Sequence, residues 1–160
     1  MNEEAKKKAL LLLPSCAAVI GTRGAGGEVA GATVTWMTQS SFKPPLIVAA
    51  LRMGSAAELN ARRERRFALS FLGPDQKSVG QTFFRAPTGA DGRIADLAYE
   101  TGRSGAPILA DCAAWVECEV RDFVDGGDHA VVVAEVIEAG IRSESPRPLL
   151  LADVGWKYGG

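Results

Sequence analysis

The sequence predicts a mainly β domain, an antiparallel sheet closed or nearly closed into a barrel with a few short helices. Three observations carry that prediction. Val116, Cys118 and Val120 alternate with Glu117, Glu119 and Arg121, the two-residue period of a half-buried strand. The turn signal Asp125-Gly126-Gly127-Asp128 leads into the Val-rich run Ala130 to Ile137, which reads as the returning strand. Glycine makes up 18 of 160 residues, above the usual ~7%, which favours turns and close backbone approach over long helices. Closure into a barrel removes the strand edges that would otherwise invite pairing with other chains.

The elements follow in order. Glu3 and Glu4 stand four residues before Lys7 and Lys8, the orientation that supports a short surface helix. Cys16 to Arg23 is a short apolar run ending at Gly24-Ala25-Gly26-Gly27, where glycine permits the positive φ of a hairpin. Glu28 to Thr38, rich in Val and Thr and containing Trp36, reads as one strand, interrupted beyond it by Pro44-Pro45. Leu46 to Leu51 is continuously apolar, the pattern of a strand covered on both sides. Ser55-Ala56-Ala57-Glu58 fits a capping box that opens a helix through Arg62 to Arg66. Arg66 to Leu72 resumes strand character, and Asp75 is placed to cap a helix running towards Phe83 and Phe84. Residues 85–107 are rich in Gly, Pro and polar residues, a long connection of the kind that serves as a lid or subunit contact. Leu149 to Leu151 and Trp156 to Tyr158 read as last, short strands.

Length and charge exclude several classes. At roughly 100–200 residues per domain the chain is one domain, 1–160, able to bury roughly 68–70% of its unfolded surface. A net charge of −1 gives no footprint for nucleic acid. Lys6-Lys7-Lys8 and the leucines that follow imitate an export signal, but Ala9 to Leu13 is short against the ~7–15 apolar residues of a signal core. No run approaches the ~18–20 residues of a membrane span. An odd set of cysteines (Cys16, Cys112 and Cys118) fits a reducing compartment, so the expected location is the cytoplasm.

Common catalytic motifs are missing. The glycines from Gly21 to Gly31 contain no G-x-G-x-x-G, and there is no phosphate loop or G-x-S-x-G elbow. One histidine and scattered cysteines make no zinc cluster. Cys112 and Cys118 read as a loop thiol and a buried thiol rather than a redox pair. Arg62, Arg63, Arg65 and Arg66 read as a solvated helix face rather than a phosphate site.

Thr33-Val34-Thr35-Trp36-Met37-Thr38-Gln39-Ser40-Ser41-Phe42-Lys43-Pro44-Pro45 resembles the signature of the flavin-reductase-like family of FMN-binding split barrels. Matches follow in order: Phe67 to Leu72 with Asp75-Gln76, Phe83, Ala106-Pro107-Ile108-Leu109, Ala113 to Cys118, and Gly127-Asp128-His129. The combination is also similar to the reductase-like module of some flavodiiron proteins. The resemblance covers the chain from about Pro14 onward. It implies a Greek-key split barrel that binds FMN, takes hydride from NADH or NADPH, and works as a homodimer with flavin near the subunit interface. A downstream flavin-dependent oxygenase or other electron acceptor is the implied partner. The rival reading is an FMN-binding electron-transfer module reduced by a protein.

The resemblance also implies roles for residues, each with a plainer reading beside it. Thr35, Trp36, Met37 and Thr38 would meet the flavin ring, against simple β-propensity. Strict alternation pairs Thr35 with Met37, so Thr35 and Thr38 share a face only if a bulge intervenes. Arg52 and Ser55 would hold the phosphate at a helix N-terminus, Ser55 also being the cap. Ala56 and Ala57 stand where relatives often add a second hydroxyl, and Ser70 where many carry asparagine. Phe83 is a ring wall or a core residue. Tyr158, with Trp156, closes the site or merely covers the barrel. His129 would contact the nicotinamide or the developing charge on reduced flavin, with Asp128 orienting it; otherwise it only begins a strand after a turn.

Overall fold

Glycine at Gly24 to Gly27 does what its chemistry allows: Gly27 takes φ +88° and the chain doubles back. The hairpin joins β1 (Ala18–Arg23) to β2 (Val29–Val34), paired from Ala18↔Val34 to Arg23↔Val29. The computed structural model describes residues 1–160. The other strands are β3 (Met37–Ser41), β4 (Leu46–Arg52), β5 (Arg66–Phe71), β6 (Thr88–Ala90), β7 (Arg93–Ile94), β8 (Leu97–Thr101), β9 (Pro107–Leu109), β10 (Ala114–Asp125) and β11 (His129–Ile141). They form one antiparallel sheet in the order β3-β4-β11-β10-β5-β1-β2-β6-β7-β8-β9. The helices are α1 (Glu3–Leu10), α2 (Ala56–Glu64), α3 (Lys77–Phe83) and α4 (Leu151–Val154).

The sheet curls about α2. Val34 of β2 and Ile47, Ala49 and Leu51 of β4 lie five strands apart in the order, yet share one core. Ile20, Phe67, Leu69, Cys118 and Val132 complete it, with Ala57 and Ala61 of α2 inserted. A second core on the other face of β1 joins Val19, Val29, Leu72, Phe83, Ile94, Leu109 and Leu149.

Capping chemistry sets α2. The Ser55 Oγ accepts from the Glu58 N–H at 3.2 Å, and Glu58 accepts in return from the Gly54 N–H at 3.1 Å. Arg65 ends the helix in the left-handed region at φ 56°. The arginines beyond are tied down locally: Arg62 pairs with Glu58 and Asp125, and Arg65 donates to the carbonyls of Val120 and Arg121. On α1, Asn2 caps the first turn, and the ion pairs run Glu3–Lys6 and Glu4–Lys8.

Several elements depart from the sequence reading. Glu28 to Thr38 is not one strand; the ladder breaks at Thr35-Trp36, and β3 pairs with β4 instead of continuing β2. Leu46 to Leu51 is not covered on both sides, since burial alternates along β4. Asp75 does not cap α3. Gln76 precedes the helix, and its side chain accepts from Gly73 and donates to the Asp111 carbonyl, both at 2.9 Å. Residues 85–107 carry β6, β7 and β8, which extend the sheet from β2 and bury Ile94. Leu149 to Leu151 contributes only a bridge to Cys16 before α4, and Trp156 to Tyr158 forms no strand. Glu117 is fully buried although it faces away from Cys118. The loop around Ser104 covers it, donating from Arg103 N (2.9 Å), Ser104 N (2.7 Å) and Ser104 Oγ (2.5 Å).

No helix is long and apolar enough to cross a membrane. Burial pushes the Cys118 thiol up to about 12 and that of Cys112 up to about 11, so neither is a thiolate at neutral pH.

Candidate functional site

The break between β2 and β3 creates the site. Leaving the ladder for two residues resets the side-chain parity, so Thr35 and Thr38 line the same cavity without a bulge between them. Trp36 is held through its backbone, its carbonyl accepting from the Ala50 N–H at 2.8 Å. Its indole stays 38% exposed at the mouth. The cavity measures about 1380 Å³, above the ~300–1000 Å³ of ordinary small-molecule sites.

The floor is apolar. Val48, Ala50 and Val131 come from β4 and β11, facing away from the buried Ala49, Leu51 and Val132. This explains the unbroken apolar run at Leu46 to Leu51: one face packs in the core and the other floors the cavity. An apolar run with both faces greasy and no second covering layer was the signal that sequence reasoning missed. The walls are Leu10 to Ser15 on one side and Leu150 to Ala152 with Gly155 to Gly160 on another.

His129 begins β11 because the 125–128 turn ends there. Its Nδ1 lies 2.8 Å from Asp128 Oδ1 and its Nε2 lies 2.9 Å from the Tyr158 hydroxyl. A carboxylate can only accept, so the Nδ1 carries the proton and, in the neutral ring, Nε2 accepts from the tyrosine. The imidazole in turn holds the Asp128 carboxyl below the usual carboxylate range. Trp36 packs against both rings at 4.9 Å, tilted 54° to His129 and 55° to Tyr158.

One polar atom in this wall has no partner. The Thr35 Oγ1 is buried and makes no hydrogen bond. Orphaned buried hydroxyls are costly, and the residue that carries this one borders the cavity.

The remaining sequence candidates divide. Met37 lines the cavity while packing on the first core. Arg52 pairs in register with His129 across the β4–β11 ladder; its guanidinium makes no hydrogen bond or ion pair, though its charge helps lower the Asp128 carboxyl, and it does not line the cavity. Ser55 sits just beyond Arg52 as the α2 cap. Ser70 and Phe83 lie elsewhere. The Ser70 hydroxyl is 1% exposed and accepts from the Leu109 N–H at 2.9 Å, and Phe83 is fully buried in the second core. Neither is on the cavity wall.

Residues 10–159 match the family model described as the flavin reductase like domain. The chain is 34% identical over 118 residues to the "Probable flavin reductase" of Rhizobium meliloti (strain 1021), covering 74% of this chain. It spans only 37% of that longer relative. It is 36% identical to the NADH-dependent flavin reductase StyB of Pseudomonas fluorescens, covering 90% of this chain and 82% of that one. Among solved structures, the styrene monooxygenase flavin reductase (SMOB) from Pseudomonas putida S12 superposes with a TM-score of 0.75 at 31% identity. The match covers 88% of this chain and 87% of that one.

Proposed function

The chain belongs to the flavin reductase like domain family, and from that premise we propose that it is an NAD(P)H-dependent flavin reductase acting on FMN as a single split-barrel domain, 1–160. The observation that carries this reading is the apolar floor of Val48, Ala50 and Val131 beside the Thr35 to Thr38 wall and the Asp128–His129 pair, the flat surface and the polar edge that a flavin ring needs. When bound, the flavin supplies the hydride-accepting ring; the chain's residues supply its placement.

Thr35 and Thr38, with the backbone around Trp36 and Met37, meet the polar edge of the ring system, and Val48, Ala50 and Val131 support its face. Arg52, whose guanidinium makes no hydrogen bond within the chain, and the N-terminus of α2 at Ser55 take the phosphate. Tyr158 covers the mouth on the nicotinamide side, on His129 and Trp36. His129, its tautomer fixed by Asp128, presents Nε2 to the nicotinamide. Positioning of donor against acceptor is the catalytic contribution, and no covalent protein intermediate is required. Ser70 and Phe83 support the site from within the fold.

The decisive experiment is the visible spectrum of the FMN-loaded protein before and after anaerobic addition of NADH or NADPH. Bleaching of the flavin band supports the reductase. Bound flavin that neither nucleotide reduces identifies an electron-transfer module served by a protein instead. A colourless protein that cannot be reconstituted with FMN overturns the flavin reading.

Arg52→Ala tests the phosphate end. A charge-assisted contact is worth ~1.5–3 kcal/mol, so FMN affinity falls by about ten- to a hundred-fold. Riboflavin, which lacks the phosphate, is bound almost unchanged. Equal weakening of both ligands removes Arg52 from the site.

The apolar rim supports a homodimer. Leu12 and Leu13 beside the cavity are 82% and 67% exposed, and Val131 is exposed on its floor, more apolar surface than one subunit covers. Light scattering is expected to give a mass near twice 16.8 kDa; a flavin-loaded monomer contradicts the dimer. Cytoplasmic work as the reductase component for a flavin-dependent oxygenase completes the proposal, and the similarity to a styrene monooxygenase flavin reductase supports it.

A further inference from the structure

Residues 157–160 make no backbone hydrogen bond. The chain before them is anchored. Trp156 packs its ring 4.8 Å from that of Phe84, and its N–H donates to the Leu151 carbonyl at 3.0 Å. From Lys157 onward, side-chain chemistry and van der Waals contact alone hold the segment across the cavity. The Tyr158 hydroxyl meets His129 Nε2, the Tyr158 ring packs on Trp36, and Gly159 lies against the same indole.

These contacts match what a nicotinamide would make. A phenol places one O–H donor on Nε2 and one flat ring beside Trp36. A nicotinamide places a carboxamide N–H donor and a flat ring, with the same relation between them. Both cannot use the single lone pair of Nε2 at once. Asp128 fixes the proton on Nδ1, so the ring cannot offer a second acceptor.

We propose that Tyr158 is an internal competitor for the nicotinamide: residues 157–160 close over His129 and Trp36 in the free protein, and the dinucleotide must displace them to bind. The inference rests on the reading that His129 meets the nicotinamide. Tyr158 then sets the nicotinamide KM, because the apparent affinity is the intrinsic one reduced by the fraction of open molecules.

The test uses Tyr158→Phe, which keeps the ring and loses the hydroxyl, and Tyr158→Ala, which loses both. The probe is NAD+, which does not reduce oxidised flavin, titrated into FMN-loaded protein. His129 is the only histidine, so its imidazole resonances report the contact directly. Tyr158→Ala is expected to bind NAD+ about three- to thirty-fold tighter, and Tyr158→Phe about two- to ten-fold tighter, the worth of the released contacts. FMN affinity stays within about threefold. In the wild type, NAD+ shifts the His129 signals towards those of the open variant.

Tighter NAD+ binding with FMN affinity kept supports the competitor. NAD+ bound equally by all three proteins overturns it and leaves the reductase reading intact. Weaker NAD+ or FMN binding by the variants also overturns it, making Tyr158 a wall of the site. Absence of NAD+ binding in every variant, with no flavin reduction by NADH or NADPH, overturns both; the wild-type and Tyr158→Phe spectra still report whether the Tyr158–His129 contact forms.

Discussion

Replacing His129 by Ala is expected to leave FMN bound within a few-fold while slowing flavin reduction by at least about tenfold, and up to the 10²–10³ that one transition-state contact supplies. The geometry sets both halves of that result. His129 stands at the cavity's edge, opposite Arg52 on the neighbouring strand, with Asp128 orienting the ring and Nε2 directed away from it. A group so placed contributes little to resting flavin affinity and much to the position of the hydride donor. The KM for the nicotinamide separates this effect from the competitor role of Tyr158. Removing the imidazole also removes the tyrosine's partner, so the loss falls on kcat. Asn at the same position keeps a polar group and is expected to recover part of the rate. Because His129 follows the hairpin turn, the melting temperature is measured on the same samples. An unchanged reduction rate in a folded variant reduces His129 to a strand-initiating residue.

The strands of the C-terminal third were legible because their information is local. Alternation at 116–121 and the turn at 125–128 predict β10 and β11, and the capping box predicts α2 to within a residue or two. Glu117 shows where that logic stops. Period alone places it on the outer face, correctly, but no local signal says that the Ser104 loop returns to cover it. The site was legible through resemblance and only partly through pattern. Composition could not reveal that β2 stops at Val34, because Thr35 and Trp36 have the propensity to continue it. The cost of the break is visible only in three dimensions, as the unpartnered Thr35 hydroxyl. Likewise, Ala9 to Leu13 imitates the core of an export signal, and only the fold brings Leu10 to Leu13 to the cavity that Trp36 also lines.

Phe83 is where the two readings of the sequence part most sharply, and its removal carries the largest expected stability effect. The side chain is fully buried in the second core, and Gly31 of β2 has given up its side chain to admit it. A Cβ on Gly31 would sit 2.4 Å from the phenyl ring. Phe83→Ala therefore leaves a void that neighbouring β-strands, fixed by their ladders, cannot fill. Such truncations cost about 3–5 kcal/mol, which for a chain of this size lowers Tm by roughly 6–20 °C. The folded fraction is expected to bind FMN within about twofold of wild type, because Phe83 does not line the cavity. Phe83→Leu, which keeps most of the volume, should recover more than half of the lost stability. Thermal melts and flavin titrations on the same preparations distinguish the roles. Loss of FMN affinity out of proportion to loss of stability would return Phe83 to the flavin's ring wall, the role that the resemblance implies.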